Sequence, residues 1–314
     1  MVKKIRSSAR VIINQCLGIK RGERVVIIVD RPCRRIGEAL WNELPDRSSS
    51  ILIEIEPTGI HGKEPPPIIA EILKRCDAFI IPTSFSLTHT RARIEATKMG
   101  VRGATMPGIT LSVMARTLNA DYHKIAQITE KMAGLLTAAK KVTIKTADDY
   151  ELHLDIESRP GHPDTGIITE PGSFSNLPAG EAYCAPVEGN SEGKVVIDGS
   201  FAPIGLLKKP VELIIKAGRI VGIKGSNKLT EIFKKAPESG RILCELGIGT
   251  NYRARITGNV LEDEKVMGTV HIAFGNNLGF GGKNDAPLHL DGVIRRPVVW
   301  FDEKLVIERG KILV

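Results

Sequence analysis

Arg24-Val-Val-Ile-Ile-Val-Asp30 is an unbroken aliphatic run bounded by charge at both ends. A run so short and so rich in β-branched residues reads as a strand buried on both faces, since a strand with one wet face would alternate. Outward from it, Arg34 to Leu44 reads as a helix and Ser50-Ile-Leu-Ile-Glu-Ile-Glu56 as a second strand. Pro65-Pro66-Pro67 opens a helix that reaches Arg75, because proline suits a first helical turn. Asp77-Ala-Phe-Ile-Ile-Pro82 is a third strand, Leu87 to Met99 a helix stopped by Gly100, and Val101 to Met106 a short fourth strand. Strands that alternate with helices predict a parallel sheet covered on both faces.

Two more helical stretches follow, Leu111 to Leu118 and Tyr122 to Ala139, and the pattern changes at Lys140-Lys141. Beyond that point the chain is strand-like, in Val142-Thr-Ile-Lys-Thr146, Tyr150-Glu-Leu-His-Leu-Asp-Ile156, Lys194-Val-Val-Ile197 and Val211-Glu-Leu-Ile-Ile215, with Gly-rich turns between. Only Asn227 to Ala236 reads as a helix there. The expected fold class is therefore α/β: an N-terminal parallel-sheet α/β domain over residues 1–140, then a mainly β domain over 141–314 that carries the chemistry.

The 314 residues leave room for two domains, and 42% hydrophobic with 25% charged residues is a globular composition, so disorder is not expected. No apolar run is long enough to cross a bilayer, and Met1-Val-Lys-Lys-Ile-Arg6 lacks the apolar stretch of a secretory signal, which makes the cytoplasm the expected location and a membrane no partner. Cys16, Cys33, Cys76, Cys184 and Cys244 are an odd, scattered set without a C-x-x-C pair, so they predict buried reduced thiols instead of disulfides or a thiolate zinc site. A net charge of +8 invites nucleic acid, but the basic residues are spread out and only 4% of residues are aromatic, which favours a solvated surface and no nucleic-acid partner.

The first strand-to-helix turn, Asp30-Arg-Pro-Cys-Arg-Arg-Ile-Gly37, has no glycine-rich phosphate loop, which argues against a nicotinamide enzyme or an ATPase. Ser84-Phe-Ser-Leu-Thr-His-Thr90 follows the third strand, so His89 either lines a cleft or belongs to a helix-capping cluster. His61, His123, His153 and His162 have no partner in view and default to surface or structural roles. The glycines of Asn277-Leu-Gly-Phe-Gly-Gly282 suggest a loop of tight backbone geometry close to a site.

Stronger signals lie in the β region. Glu181 follows Pro-Ala-Gly and precedes a short apolar run, and Glu245 enters Cys244-Glu-Leu-Gly-Ile-Gly249, where an unpaired carboxylate is costly unless a cation compensates it. His271 lies within Gly268-Thr-Val-His-Ile-Ala-Phe-Gly275, flanked by apolar residues. Alone it would read as a satisfied core histidine. His289-Leu-Asp291 just downstream, whose alternate residues point the same way on an extended chain, makes the coordinated reading the better one. All five are residue types that bind Zn, Mn, Fe or Co.

Leu177-Pro-Ala-Gly-Glu-Ala-Tyr-Cys-Ala-Pro186, Glu245-Leu-Gly-Ile-Gly-Thr-Asn251, the segment Asp263 to Gly275 and His289-Leu-Asp291, with Ser86-Leu-Thr-His-Thr90 and Ala104-Thr-Met-Pro-Gly-Ile109, together resemble the aminopeptidase T family of thermophilic, leucyl aminopeptidase-like metallopeptidases. The resemblance spans most of the chain. It implies one or two divalent ions (Zn, Co or Mn) on Glu181, Glu245, His271, His289 and Asp291, with a homodimer and a peptide or other small-molecule substrate. It also implies that a metal-activated water releases N-terminal residues from peptides, with Glu264 as the proton shuttle; a solvated turn glutamate is the plain alternative there. At the place of the family's tyrosine ligand this chain has Leu278. The same fold family includes a dihydroxypyridine ring-cleaving dioxygenase with one ferrous ion on two histidines and an aspartate, for which His271, His289 and Asp291 would serve. A non-catalytic relative that binds a ligand or metal is the third expectation.

Overall fold

The strand Val25–Asp30 is buried along its whole length and pairs in parallel with Ile51–Ile55 on one side and Ala78–Thr83 on the other, as its aliphatic run requires. Arg102–Pro107 extends the same sheet. In this computed structural model, which describes residues 1–314, a fifth parallel strand is added by Phe174–Asn176, three residues that the sequence pattern does not mark. Helices Arg34–Glu43, Pro67–Leu73, Arg91–Lys98 and Leu111–Thr117 fall where their periodicity places them. The last two are capped by Thr90 and Thr110, whose hydroxyls accept from Arg93 N and Val113 N. A further helix, Val2–Val11, continues as a π-helical turn over Ile12–Cys16.

Two units result. The first comprises Met1–Ala126 with Gly166–Ala179, the second Gln127–Thr165 with Gly180–Val314. The division falls inside the helix Tyr122–Ala138, ahead of the change of pattern near residue 140, and residues 166–179 rejoin the first unit because Phe174–Asn176 pairs with Arg102–Pro107.

The second unit has two antiparallel sheets. One orders its strands as Arg219–Lys224, Val211–Lys216, Glu192–Ile197, Tyr150–Asp155, Lys141–Ala147, Val298–Phe301, Lys304–Glu308 and Lys311–Ile312. The other runs Gly205–Leu206, Ser200–Phe201, His289–Ile294, Val270–Gly275, Leu243–Gly249, Glu181–Cys184 and His162–Asp164. Alternate residues of both sheets, among them Val142, Leu152, Val195 and Leu213 from the first and Leu246, Ile248, Ile272 and Phe274 from the second, share one apolar core. Phe274 is fully buried there with its ring 5.6 Å from that of Phe233, and truncating such a ring to alanine costs about 3–5 kcal/mol. All five cysteines are free and buried, and no helix is long and apolar enough to cross a membrane.

Candidate metal centre

Because Ile272, Phe274, Leu246 and Ile248 face the core, the residues between them must face the other way. On that opposite side the register lines up rows across the sheet. His162, Tyr183, Gly247, His271 and Val293 form one row. Asp164, Glu181 and Gly249 form the next, and Glu245, Ala273 and Asp291 another, with His289 opposite Gly275. The small residues between the polar ones give the side chains room to converge. Gly247 is indispensable: a Cβ there would lie 2.0 Å from His271 Nε2, so only glycine lets the imidazole lie across the neighbouring strand. A bulge at Cys244 keeps Leu243 opposite Phe274 in the core while Glu245 stands opposite Ala273 on the polar face.

The convergence is close. His271 Nε2 lies 3.2 Å from Glu245 Oε1 and 3.5 Å from Glu181 Oε2, and His289 Nε2 lies 3.3 Å from Glu245 Oε2 and 3.4 Å from Asp291 Oδ1. His289 Nδ1 is 2.9 Å from the Asn276 carbonyl, which accepts its proton and leaves Nε2 facing the carboxylates. His271, Glu181 and Glu245 are buried, whereas the His289 side chain is a third exposed, so the centre opens on the His289 side.

These atoms fit a cation. The unprotonated nitrogen of a neutral imidazole and a carboxylate oxygen are both acceptors, so at such distances a proton or a cation must lie between them. Burial lowers the His271 pKa, yet the hydrogen bond to Glu245 and the charge of Glu181 outweigh it and push it up to about 9. Burial likewise disfavours charge on His289, but Asp291 and Glu245 hold it well above an ordinary histidine. The field that would keep protons on both rings equally favours a divalent metal. Glu181 Oε2 is a buried oxygen without a hydrogen bond, as a ligand oxygen would be. Ligand atoms of Glu245, His271 and Asp291 all lie within 4.8 Å of one another, and so do those of Glu181, Glu264 and His271. The structure thus brings together all five residues singled out as ligands, and Glu264 with them.

Two residues that the sequence reading passed over belong to the same face. Lys265, only 2% exposed, directs its ammonium at Glu181, with Glu264 Oε1 at 2.8 Å and Asp164 Oδ2 at 3.8 Å. Burial works against that charge, and the carboxylates of Glu181, Glu264 and Asp164 hold it nonetheless. His162 stacks on Tyr183 with ring centroids 5.4 Å apart. Tyr183 meets Phe280 edge-on at 5.4 Å, and Phe280 meets His289 at 6.2 Å, which makes a half-buried aromatic row that ends at the centre.

The row is completed by the 276–284 loop, expected near a site for its glycines. Glu188 clamps it, accepting from Asn277 Nδ2 at 2.9 Å and from the Lys283 amide at 2.7 Å, while Arg159 bonds both Glu188 and the Gly281 carbonyl. Leu278 opens the short 3-10 turn of this loop and is 53% exposed, so the place of the tyrosine ligand supplies no oxygen donor. His61 accepts from the Ser86 amide in the first unit, where His89 is exposed, and His153 contacts Thr143. None of these three joins the group.

The chain resembles known proteins over nearly its whole length. Among solved structures, the 2,5-dihydroxypyridine dioxygenase of Pseudomonas putida KT2440 superposes with a TM-score of 0.80 at 18% identity, over 100% of this chain and 98% of that one. Wild-type AmpT from Thermus thermophilus superposes with a TM-score of 0.75 at 15% identity, over 99% of each chain. At such identities both likenesses show a shared fold. No match is found among curated proteins. The family model described as NicX, 2,5-dihydroxypyridine 5,6-dioxygenase, matches residues 47–314, and by that match over most of its length the chain belongs to the NicX family.

Proposed function

We propose that this protein is a mononuclear non-haem iron dioxygenase that opens a small hydroxylated aromatic ring of the 2,5-dihydroxypyridine kind. The observation that carries the reading is the meeting of two features on one sheet face. One is a pair of histidines and an aspartate, His271, His289 and Asp291, on adjacent strands, the donor set of ferrous oxygenases. The other is the row His162, Tyr183 and Phe280, which leads to His289. A flat ring gains about 0.5–1.5 kcal/mol from each well-placed aromatic neighbour, and a peptide backbone has no comparable use for the row. Family membership supports the same reading, whereas the aminopeptidase alternative has in its favour the shared fold and the extra carboxylates Glu181 and Glu264.

Ferrous iron held by His271, His289 and Asp291 would supply the redox electrons and open coordination positions that ring cleavage by dioxygen needs. The chain does the positioning. The Asn276 carbonyl fixes the His289 tautomer, Glu245 faces both Nε2 atoms and adds the negative charge that draws a cation between them, and the Glu188 clamp holds Phe280 where a substrate ring would stack.

Protein loaded with ferrous iron under anaerobic conditions, then given 2,5-dihydroxypyridine and air, should consume oxygen in step with the loss of the ring's ultraviolet absorbance, and chelation should stop both. Chelator-sensitive release of leucine from a leucyl peptide, with no oxygen uptake on the dihydroxypyridine, would refute the reading.

A further inference from the structure

The buried lysine has no part in the ring chemistry just described, and its surroundings are unusual. An ammonium taken out of water loses several kcal/mol of hydration unless close opposite charge replaces it. Lys265 has three carboxylates for that purpose, Glu181, Glu264 and Asp164, and two of them, Glu181 and Glu264, belong with His271 to a group spaced to hold a metal. Its carbonyl accepts from the Asn251 amide at 2.8 Å and its amide donates to the Glu262 carbonyl at 3.0 Å, so the backbone is pinned on both sides. Glu181 divides its two oxygens, Oε1 to the lysine and Oε2 towards His271 Nε2, the disposition of a carboxylate that bridges two positive centres.

We propose that Lys265 is a built-in replacement for a second cation: its ammonium occupies the place among Glu181, Glu264 and Asp164 that a second divalent ion would take, and so limits the centre to one metal per chain. The inference rests on the single-metal reading above and makes it specific to one residue. In centres that hold two ions, carboxylates bridge metals about 3.5–4 Å apart. Here a buried ammonium satisfies the same oxygens with half the charge, and a divalent ion would have to displace it against both its contacts to three carboxylates and Coulomb repulsion. Without the lysine charge, Glu181, Glu264 and His271 already bring ligand atoms within 4.8 Å of one another.

Metal content, measured by mass spectrometry on protein equilibrated with excess Mn or Zn and then desalted, tests this. Wild type should retain about one ion per chain, Lys265→Met about two, and the double variant Lys265→Met/Glu264→Gln should return to about one. Lys265→Arg keeps the charge and should also stay at about one, which preserves the test if the methionine variant does not fold. Two ions in wild type or in Lys265→Arg, or a folded Lys265→Met that still holds one, would overturn the proposal. Oxygen uptake recorded on the same samples separates the two claims. One ion in wild type and two in Lys265→Met, without ring cleavage, would defeat the dioxygenase reading and leave the role of Lys265 supported.

Discussion

Replacing Gly247 by alanine probes the centre with a single methyl group. Gly247 stands opposite His271, and the new Cβ would lie 2.0 Å from Nε2 and 2.1 Å from Cε1 of that ring. Ordinary contacts close at about 3.5 Å, so the imidazole must retreat by roughly 1.5 Å or swing to another rotamer. Either movement takes Nε2 away from Glu245, now at 3.2 Å, and from the metal position beside it. Overpacking of this kind costs about 1–3 kcal/mol, and a displacement of about 1 Å in a reacting group costs on the order of 100-fold in rate. The variant should therefore fold with its midpoint lowered by several degrees, bind ferrous iron at least about 10-fold more weakly, and lose about 100-fold in oxygen uptake. Iron titration with circular dichroism on the same preparation measures all three. Gly134→Ala is the matched control: it lies in the helix Tyr122–Ala138, its added Cβ meets nothing within 4 Å, and it should gain up to about 1 kcal/mol with iron binding unchanged. Wild-type iron affinity in Gly247→Ala would refute the placement of His271 at the metal.

Other expectations follow from the same geometry. Iron at about 100 times its dissociation constant should stabilise the folded chain by about 2.7 kcal/mol, visible as a thermal midpoint that falls on chelation, and Asp291→Ala should abolish that shift. Glu188→Ala should release the 276–284 loop and raise KM for the ring substrate more than it lowers kcat, because Glu188 holds Phe280 indirectly through Asn277 and the Lys283 amide. Arg102→Met should cost about 1–3 kcal/mol at neutral pH by removing the buried guanidinium that bonds Glu23 and the Leu17 carbonyl. Burial raises the Glu23 pKa, but the Arg102 hydrogen bond and the Lys20 amide outweigh it and leave the carboxyl below its ordinary 4.5. Its contribution is thus present above that value and lost as pH falls through the lowered one, so the gap between the urea midpoints of wild type and variant should narrow as the pH is taken below 4.5.

The parallel sheet was legible because strands buried on both faces are written as continuous aliphatic runs, and Val25–Asp30 needs no partner to be recognised. Phe174–Asn176 was not legible: three residues carry no period, and their pairing with Arg102–Pro107 is decided by chain far away in sequence. The Val2–Val11 helix was hidden by its lysines, arginines and serines, which leave Ile5 as its one large buried aliphatic. At the centre, Glu181, Glu245, His271, His289 and Asp291 stood out because each interrupts apolar chain. His162 gave no such signal, since its place in the aromatic row depends on the register with Tyr183. Lys265 looked like any surface lysine of a charged triplet, and nothing in Asp263-Glu264-Lys265 shows that its ammonium turns inward.

The bulge at Cys244 sets how far this sheet tolerates changes of length. Because Cys244 is the extra residue between Leu243 and Glu245, deleting it would restore regular pairing with both neighbours still on their own faces, at the loss of a thiol 3.6 Å from His289 Nδ1. One residue added or removed between Glu245 and Gly249, or between His271 and Gly275, reverses the phase of the strand and turns donors into the core and aliphatics outward. The strand segments that carry donors therefore keep a fixed count, and changes of length can accumulate only beyond the strand ends, away from Lys265 and the clamped 276–284 loop.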